Sequence, residues 1–183
     1  YVASTHDYLL IFTTLGRVYW LKVWQIPEYG RAAKGKPLVN LLEDIRPEEK
    51  IATVLQVRSL TEEAYIVFAT QKGTVKKSRL DEFSNVRRKG VHAIELDEGD
   101  HLIATRLVHQ GEQVMIFTYK GMAVRFDEEK VRPMGRTARG VRGVTLKDEQ
   151  DYVINAEVVK GNESILVVCE NGFGKRSAVE DFR

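Results

Sequence analysis

The sequence predicts an all-β repeat fold, on three observations. Four glycines, Gly16, Gly73, Gly121 and Gly172, recur at intervals of about fifty residues, the spacing of a repeat architecture. Each follows an unbroken apolar run: Leu9-Leu10-Ile11-Phe12, Ile66-Val67-Phe68-Ala69, Val114-Met115-Ile116-Phe117 and Ile165-Leu166-Val167-Val168. Ten residues after each glycine an apolar residue returns, as Ile26, Phe83, Val131 and Phe182.

The apolar runs are rich in β-branched and aromatic residues and end at a turn signal, so each reads as a strand buried on both faces. The turns Lys72-Gly73, Lys120-Gly121 and Asn171-Gly172 have the chemistry of a hairpin whose central residues need positive φ. An amphipathic strand precedes the buried one at residues 51–57, 102–108 and 153–159. No counterpart precedes Leu9, so the first copy is expected to lack its opening strand. After a loop, a closing strand is expected at residues 35–41, 90–96 and 140–146. Four short strands per fifty residues is the content of a propeller blade. The expected units are 1–46, 47–98, 99–148 and an incomplete 149–183, about three and a half blades of a longer array. No segment holds a 3.6-residue apolar period. Helix is expected only as single turns near Leu80 to Phe83 and Ala178 to Phe182.

Composition bounds the function. With 43% hydrophobic and 30% charged residues there is enough apolar content for a core. No apolar run approaches the length of a membrane span and no signal peptide opens the chain, so a soluble, cytoplasmic location is expected. The single cysteine, Cys169, permits no internal disulfide. It fills the slot held by Thr13, Thr70 and Thr118, which reads as a packing position. The four histidines have no metal-like spacing and no serine sits in a nucleophile elbow, so neither catalysis nor a metal or cofactor is expected in this segment.

Net charge is only +2, but it alternates with the repeat. Residues 72–92 carry seven Lys or Arg against two acids, and residues 120–142 seven against three. Residues 43–63 carry six acids against three bases, and residues 95–112 five against one. A single such run reads as a solvated loop, but recurrence at one repeat position leads to the expectation that stacking the copies collects the basic stretches along one rim.

Within those stretches, residues 30–37 nearly match a phosphate-cradling nucleotide loop, but Pro37 stands where the magnesium-binding hydroxyl belongs. The same segment recurs at 85–90 and 135–140, and a nucleotide loop would not appear in every blade. The residue before its last glycine is always cationic: Lys34, Lys89, Arg139. A second basic slot lies four residues past the hairpin glycine, at Lys77, Arg125 and Arg176, with Trp20 in the first copy. Lys76 and Lys175 sit one position earlier. Together with Lys36, Arg79, Arg87, Arg88, Arg136 and Arg142 these cations suit phosphate oxygens, which demand charge but carry no sequence code. A protein-interaction propeller is the competing class, for which Tyr19, Trp20 and Trp24 offer an aromatic patch in the first copy only.

The run Ser4-Thr5-His6-Asp7-Tyr8-Leu9-Leu10-Ile11-Phe12, leading into Gly16-Arg17-Val18-Tyr19-Trp20, resembles the C-terminal domain of the bacterial DNA gyrase A protein. So do Gly73-Thr74-Val75-Lys76-Lys77, Val131-Arg132-Pro133-Met134-Gly135, Gly140-Val141-Arg142-Gly143 and Asn171-Gly172-Phe173-Gly174-Lys175-Arg176. The resemblance implies a six-bladed β-pinwheel with strands exchanged between blades, wrapping duplex DNA around a basic perimeter to support ATP-dependent negative supercoiling. It also implies the rest of the gyrase A protein and the gyrase B protein as partners, and a strand-cleaving tyrosine in another domain. The family's Q-R-R-G-G-K-G box is absent; residues 29–35, 84–90 and 134–140 look like degenerate copies. The corresponding A-type protein of topoisomerase IV is the alternative within the same resemblance.

Overall fold

The computed structural model describes residues 2–85 and 87–182; Tyr1, Val86 and Arg183 lie outside the described residues. Among the described residues, thirteen strands form four antiparallel sheets, and the remaining regular structure is five short 3-10 turns, two of them at Leu80–Phe83 and Val179–Asp181. Each sheet is built on one hairpin: β1 (Tyr8–Thr13) with β2 (Arg17–Lys22), β4 (Tyr65–Thr70) with β5 (Thr74–Arg79), β8 (Gln113–Thr118) with β9 (Ala123–Asp127), and β12 (Ser164–Val168) with β13 (Gly174–Ala178). The pairs nearest the turns are Phe12↔Val18, Ala69↔Val75, Phe117↔Ala123 and Val168↔Gly174, the same register four times. Gly16, Gly73, Gly121 and Gly172 all have positive φ, between 73° and 91°. The predicted turn chemistry is what fixes this register.

The sheets regroup strands relative to the expected unit boundaries. β3 (Ile51–Val57), read as the opening strand of the second unit, pairs with β1. β7 (Leu102–Val108) likewise pairs with β4, and β11 (Val153–Val159) with β8. The first sheet therefore has its counterpart of this strand in β3, because each such strand completes the sheet before it. The closing strands are exchanged as well: β6 (Val91–His92) pairs with β2 and β10 (Val141–Arg142) with β5. The resulting orders are β3-β1-β2-β6, β10-β5-β4-β7, β11-β8-β9 and β12-β13. Residues 35–41 form no strand; Leu38–Leu41 winds into a 3-10 turn. β6 and β10 exist only because a preceding sheet offers them an edge, whereas no described strand does so here, and Pro37 has no N–H to give to a ladder.

Strand alternation divides each buried run between two cores. Leu10 and Phe12 join Ile66, Phe68, Leu80 and Phe83 between the first and second sheets. There the Phe12 and Phe68 rings meet edge to face, 5.5 Å apart. Val67 and Ala69 point the other way, into the core shared with Val114, Ile116 and Ala156. Each middle sheet is thus covered on both faces by its neighbours. The β12–β13 hairpin differs: Leu166, Val167, Val168 and Phe173 are exposed. Cys169 is exposed too, whereas Thr13, Thr70 and Thr118 at its slot are buried. The packing expectation for this cysteine is not met among the described residues.

Candidate nucleic-acid interface

Of the edge strands, β7 packs against β3 on one side and β11 on the other. Thr105 N–H on β7 donates to Thr53 Oγ1 on β3 at 3.2 Å, and Arg106 Nε on β7 to Glu157 Oε2 on β11 at 2.9 Å. These strands are the inner edge. The opposite edges are β6 and β10, so the loop residues that lead into them, 87–90 and 132–140, run along the perimeter.

Gly90 and Gly140 in those loops, and Gly143 just past β10, let the exchanged segments lie close on the preceding sheet. A Cβ on Gly90 would sit 2.4 Å from Cζ of Tyr19, one on Gly140 2.5 Å from the Val75 carbonyl oxygen, and one on Gly143 2.4 Å from a Val75 methyl. Side chains then bolt the loops down: Trp20 Nε1 donates to the Phe83 carbonyl at 2.9 Å, Arg17 Nη2 to that of Gly90 at 3.1 Å, and Ser78 Oγ to that of Met134 at 2.9 Å.

On this frame the predicted cations separate into three groups. Arg87, Arg88 and Arg142 are exposed around β6 and β10 with no ion pair among the described residues; so are Lys34 and Lys36 in the corresponding loop of the first unit, and Lys175 and Arg176 on β13. Lys89, Arg139 and Arg79 are exposed but already hold acids. Lys89 Nζ is 3.2 Å from Asp44, and Arg79 Nη2 is 2.7 Å from Asp81. Arg139 is held by Glu95 and Asp97, and the Glu95 hydrogen bond, followed by the charges of both acids, raises its guanidinium above the ordinary range.

The third group corrects the sequence reading. Lys76 and Lys77 are buried, not on the rim. They lie on β5, an interior strand of a sheet covered on both faces, so successive side chains point into successive junctions. Lys76 Nζ donates to the Ala93 carbonyl at 2.6 Å and to the Arg136 carbonyl, and lies 5.1 Å from the Phe68 ring centre. Burial pushes its ammonium down to about 8. Lys77 is paired with the Glu128 carboxylate and also donates to the Glu128 carbonyl at 2.9 Å. Neither ammonium reaches solvent. Arg125, at the slot of Lys77, is half-buried; Arg136 is half-buried too, its Nε without a hydrogen-bond partner among the described residues.

Sequence reasoning missed a set of acids. Glu49, Asp100 and Asp151 are buried at one repeat position, two residues before β3, β7 and β11. Glu49 accepts from Thr13 Oγ1 at 2.5 Å and from Arg17 Nη1 at 3.0 Å. Asp100 accepts from Lys72 N–H at 2.9 Å, and Asp151 from Lys120 N–H at 3.0 Å and Lys147 N–H at 3.1 Å. Burial pushes the Asp151 carboxyl up, but those backbone donors outweigh it and hold it below the usual range. The signal was their fixed spacing, hidden because acids in polar connections read as solvated.

A model of the family described as "DNA gyrase C-terminal domain, beta-propeller" matches residues 7–58, 64–109, 112–160 and 163–183. The chain belongs to that family. The gyrase-family segments also end after β3, β7 and β11, in step with the sheets. The DNA gyrase A protein of Chlamydia muridarum is 60% identical over 184 residues, covering 100% of this chain and 22% of the relative. That of Staphylococcus aureus is 46% identical over 183 residues, covering 98% and 20%. The chain thus spans about a fifth of the length of the curated relatives it matches. Among solved structures, the C-terminal domain of DNA topoisomerase IV superposes with a TM-score of 0.86 at 29% identity, over 98% of this chain and 55% of that one. The DNA gyrase A C-terminal domain gives 0.82 at 29% identity, over 98% and 57%.

Proposed function

We propose that this gyrase-family chain is a non-catalytic module that binds duplex DNA and bends it around its perimeter, supporting ATP-dependent negative supercoiling by a parent gyrase in the bacterial cytoplasm. Its partners are duplex DNA, the rest of the gyrase A protein and the gyrase B protein, and the strand-cleaving tyrosine lies in another domain. No cofactor is assigned to this segment. The supporting observation is the placement of Arg142 on the outermost strand β10 and of Arg87 and Arg88 in the loop that leads into the outermost strand β6, with Lys34 and Lys36 in the corresponding loop of the first unit. Cations on a convex edge suit phosphates of a duplex that follows that edge, and such contacts position the duplex without reading its bases. These five cations, each neutralising one phosphate, imply a slope of log affinity against log salt of about −4.5. The test is mobility of a linear duplex at several salt concentrations, with relaxation of a closed circle in the protein's presence reporting wrapping. A salt-dependent shift with little sequence preference, and a changed linking number, is the expected result. No shift at low salt would overturn the reading and favour a protein-interaction surface.

A further inference from the structure

The perimeter cations differ in availability in a way that follows the repeat. At the position before the glycine that leads into the exchanged segment, Lys34 has no ion pair among the described residues, Lys89 has one acid, and Arg139 has two. In both paired cases the acids come from the preceding unit. Asp44 follows residues 35–41, and Glu95 and Asp97 follow β6. Arg139 Nη2 lies 3.0 Å from Glu95 Oε1, and Nη1 lies 3.2 Å from Asp97 Oδ1, so its two nitrogens face two anionic oxygens. A DNA phosphate presents that same pattern to a guanidinium. All the side chains involved are more than half exposed, and ion pairs between solvated side chains hold weakly.

We infer that Glu95 and Asp97, and Asp44 at the other junction, are resident stand-ins for DNA phosphates. They hold Arg139 and Lys89 in the free domain and yield them to the sugar-phosphate backbone when a duplex arrives. The inference rests on the DNA-binding reading and adds to it a way of setting the grip. An uncapped cation that neutralises a phosphate releases about 0.9 of a condensed counterion. A capped one frees its acids at the same moment, and these gather cations from solution as the phosphate loses them. Capped positions therefore add contacts to the bound state while adding little to the salt dependence, and they lower affinity at every salt concentration.

The test is a double-mutant cycle on duplex binding, using linear DNA of mixed sequence. Glu95→Gln with Asp97→Asn is expected to tighten binding about 5- to 10-fold near physiological salt and to steepen the salt slope by about one. A charge-matched control, Glu98→Gln with Glu129→Gln, removes two exposed acids that have no ion pair among the described residues and is expected to give a smaller gain. Adding Arg139→Ala to the first pair is expected to reduce its gain to that of the control. The same cycle on Asp44→Asn and Lys89→Ala provides a second reading should the first pair disturb folding. Asparagine suits the positive φ of 62° at Asp44. If the wild type binds DNA but neither pair exceeds the control, or the gain survives loss of the cation, the stand-in role is wrong and the DNA-binding reading stands. If the wild type binds no duplex at any salt concentration, both fall together.

Discussion

The Lys77 ammonium and the Glu128 carboxylate form an ion pair inside the junction between the second and third sheets, their side chains 4% and 3% exposed. The equivalent positions one junction earlier are Trp20 and Leu80, both buried in a single apolar core. Neighbouring junctions thus solve the same packing problem with charge in one and hydrocarbon in the other. Lys77→Ala is expected to strand a buried carboxylate and cost about 3–5 kcal/mol, while Lys77→Met with Glu128→Leu is expected to be neutral or stabilising by up to about 4 kcal/mol. Urea unfolding of the three proteins decides it. Loss of DNA affinity by Lys77→Ala with unchanged stability would contradict the buried placement.

Lys76 makes stability depend on pH. Its folded value of about 8 lies below the ordinary 10.5, because burial disfavours the charge. Between those two values the unfolded chain binds more protons than the folded one, so this group's contribution rises with pH from about 8 to 10.5 and is absent below about 8. The full span is on the order of 3 kcal/mol. Tyr19, whose hydroxyl is pushed up first by burial and then by Glu49, acts in the opposite sense above about pH 10. Comparing the wild type with Lys76→Met at pH 7.5 and pH 9.5 isolates the lysine; parallel stability curves would refute the assignment.

Gly90→Ala is expected to destabilise the chain by several kcal/mol, since the added methyl meets the Tyr19 ring at 2.4 Å and both are held in place. Gly30→Ala meets nothing within 4 Å and its φ is not positive, so melting should be unchanged. A thermal melt of each variant is sufficient.

On the perimeter, Arg87→Ala, Arg88→Ala and Arg142→Ala combined should weaken binding to all duplexes alike and flatten the salt slope by about 2.7, with the melting temperature unmoved. Ile116→Ala should do the reverse, costing about 2–5 kcal/mol through a core cavity while leaving the slope of the folded protein intact. An unchanged slope in the triple variant would place the phosphate contacts elsewhere.

What could be read in the sequence was local. The turn at Gly121 and the apolar run before it fix a register over a dozen residues, and this signal repeats four times. The exchange of β6 and β10 was legible only through family resemblance, because a two-residue strand has no period and its partner lies far away in sequence. Lys76 and Lys77 were misplaced because charge ordinarily signals solvent. Trp20 at the slot of Lys77 was the overlooked clue, since an aromatic at a lysine's repeat position marks a junction. The acids capping Arg139 were visible as charge, but which cation they face depends on how one unit lies over the next.

The exchange of strands also has a temporal consequence. β2 ends at Lys22, yet its outer neighbour is supplied by Val91 and His92, with Arg17 opposite His92. On a ribosome adding about 5–20 residues per second, the first hairpin emerges roughly 4–15 s before the segment that shields its edge. During that interval the N–H and C=O groups of β2 are open to any extended stretch nearby, including the same strand of a neighbouring nascent chain. Synthesis rate, and not only final stability, therefore governs how cleanly such an interlocked array assembles.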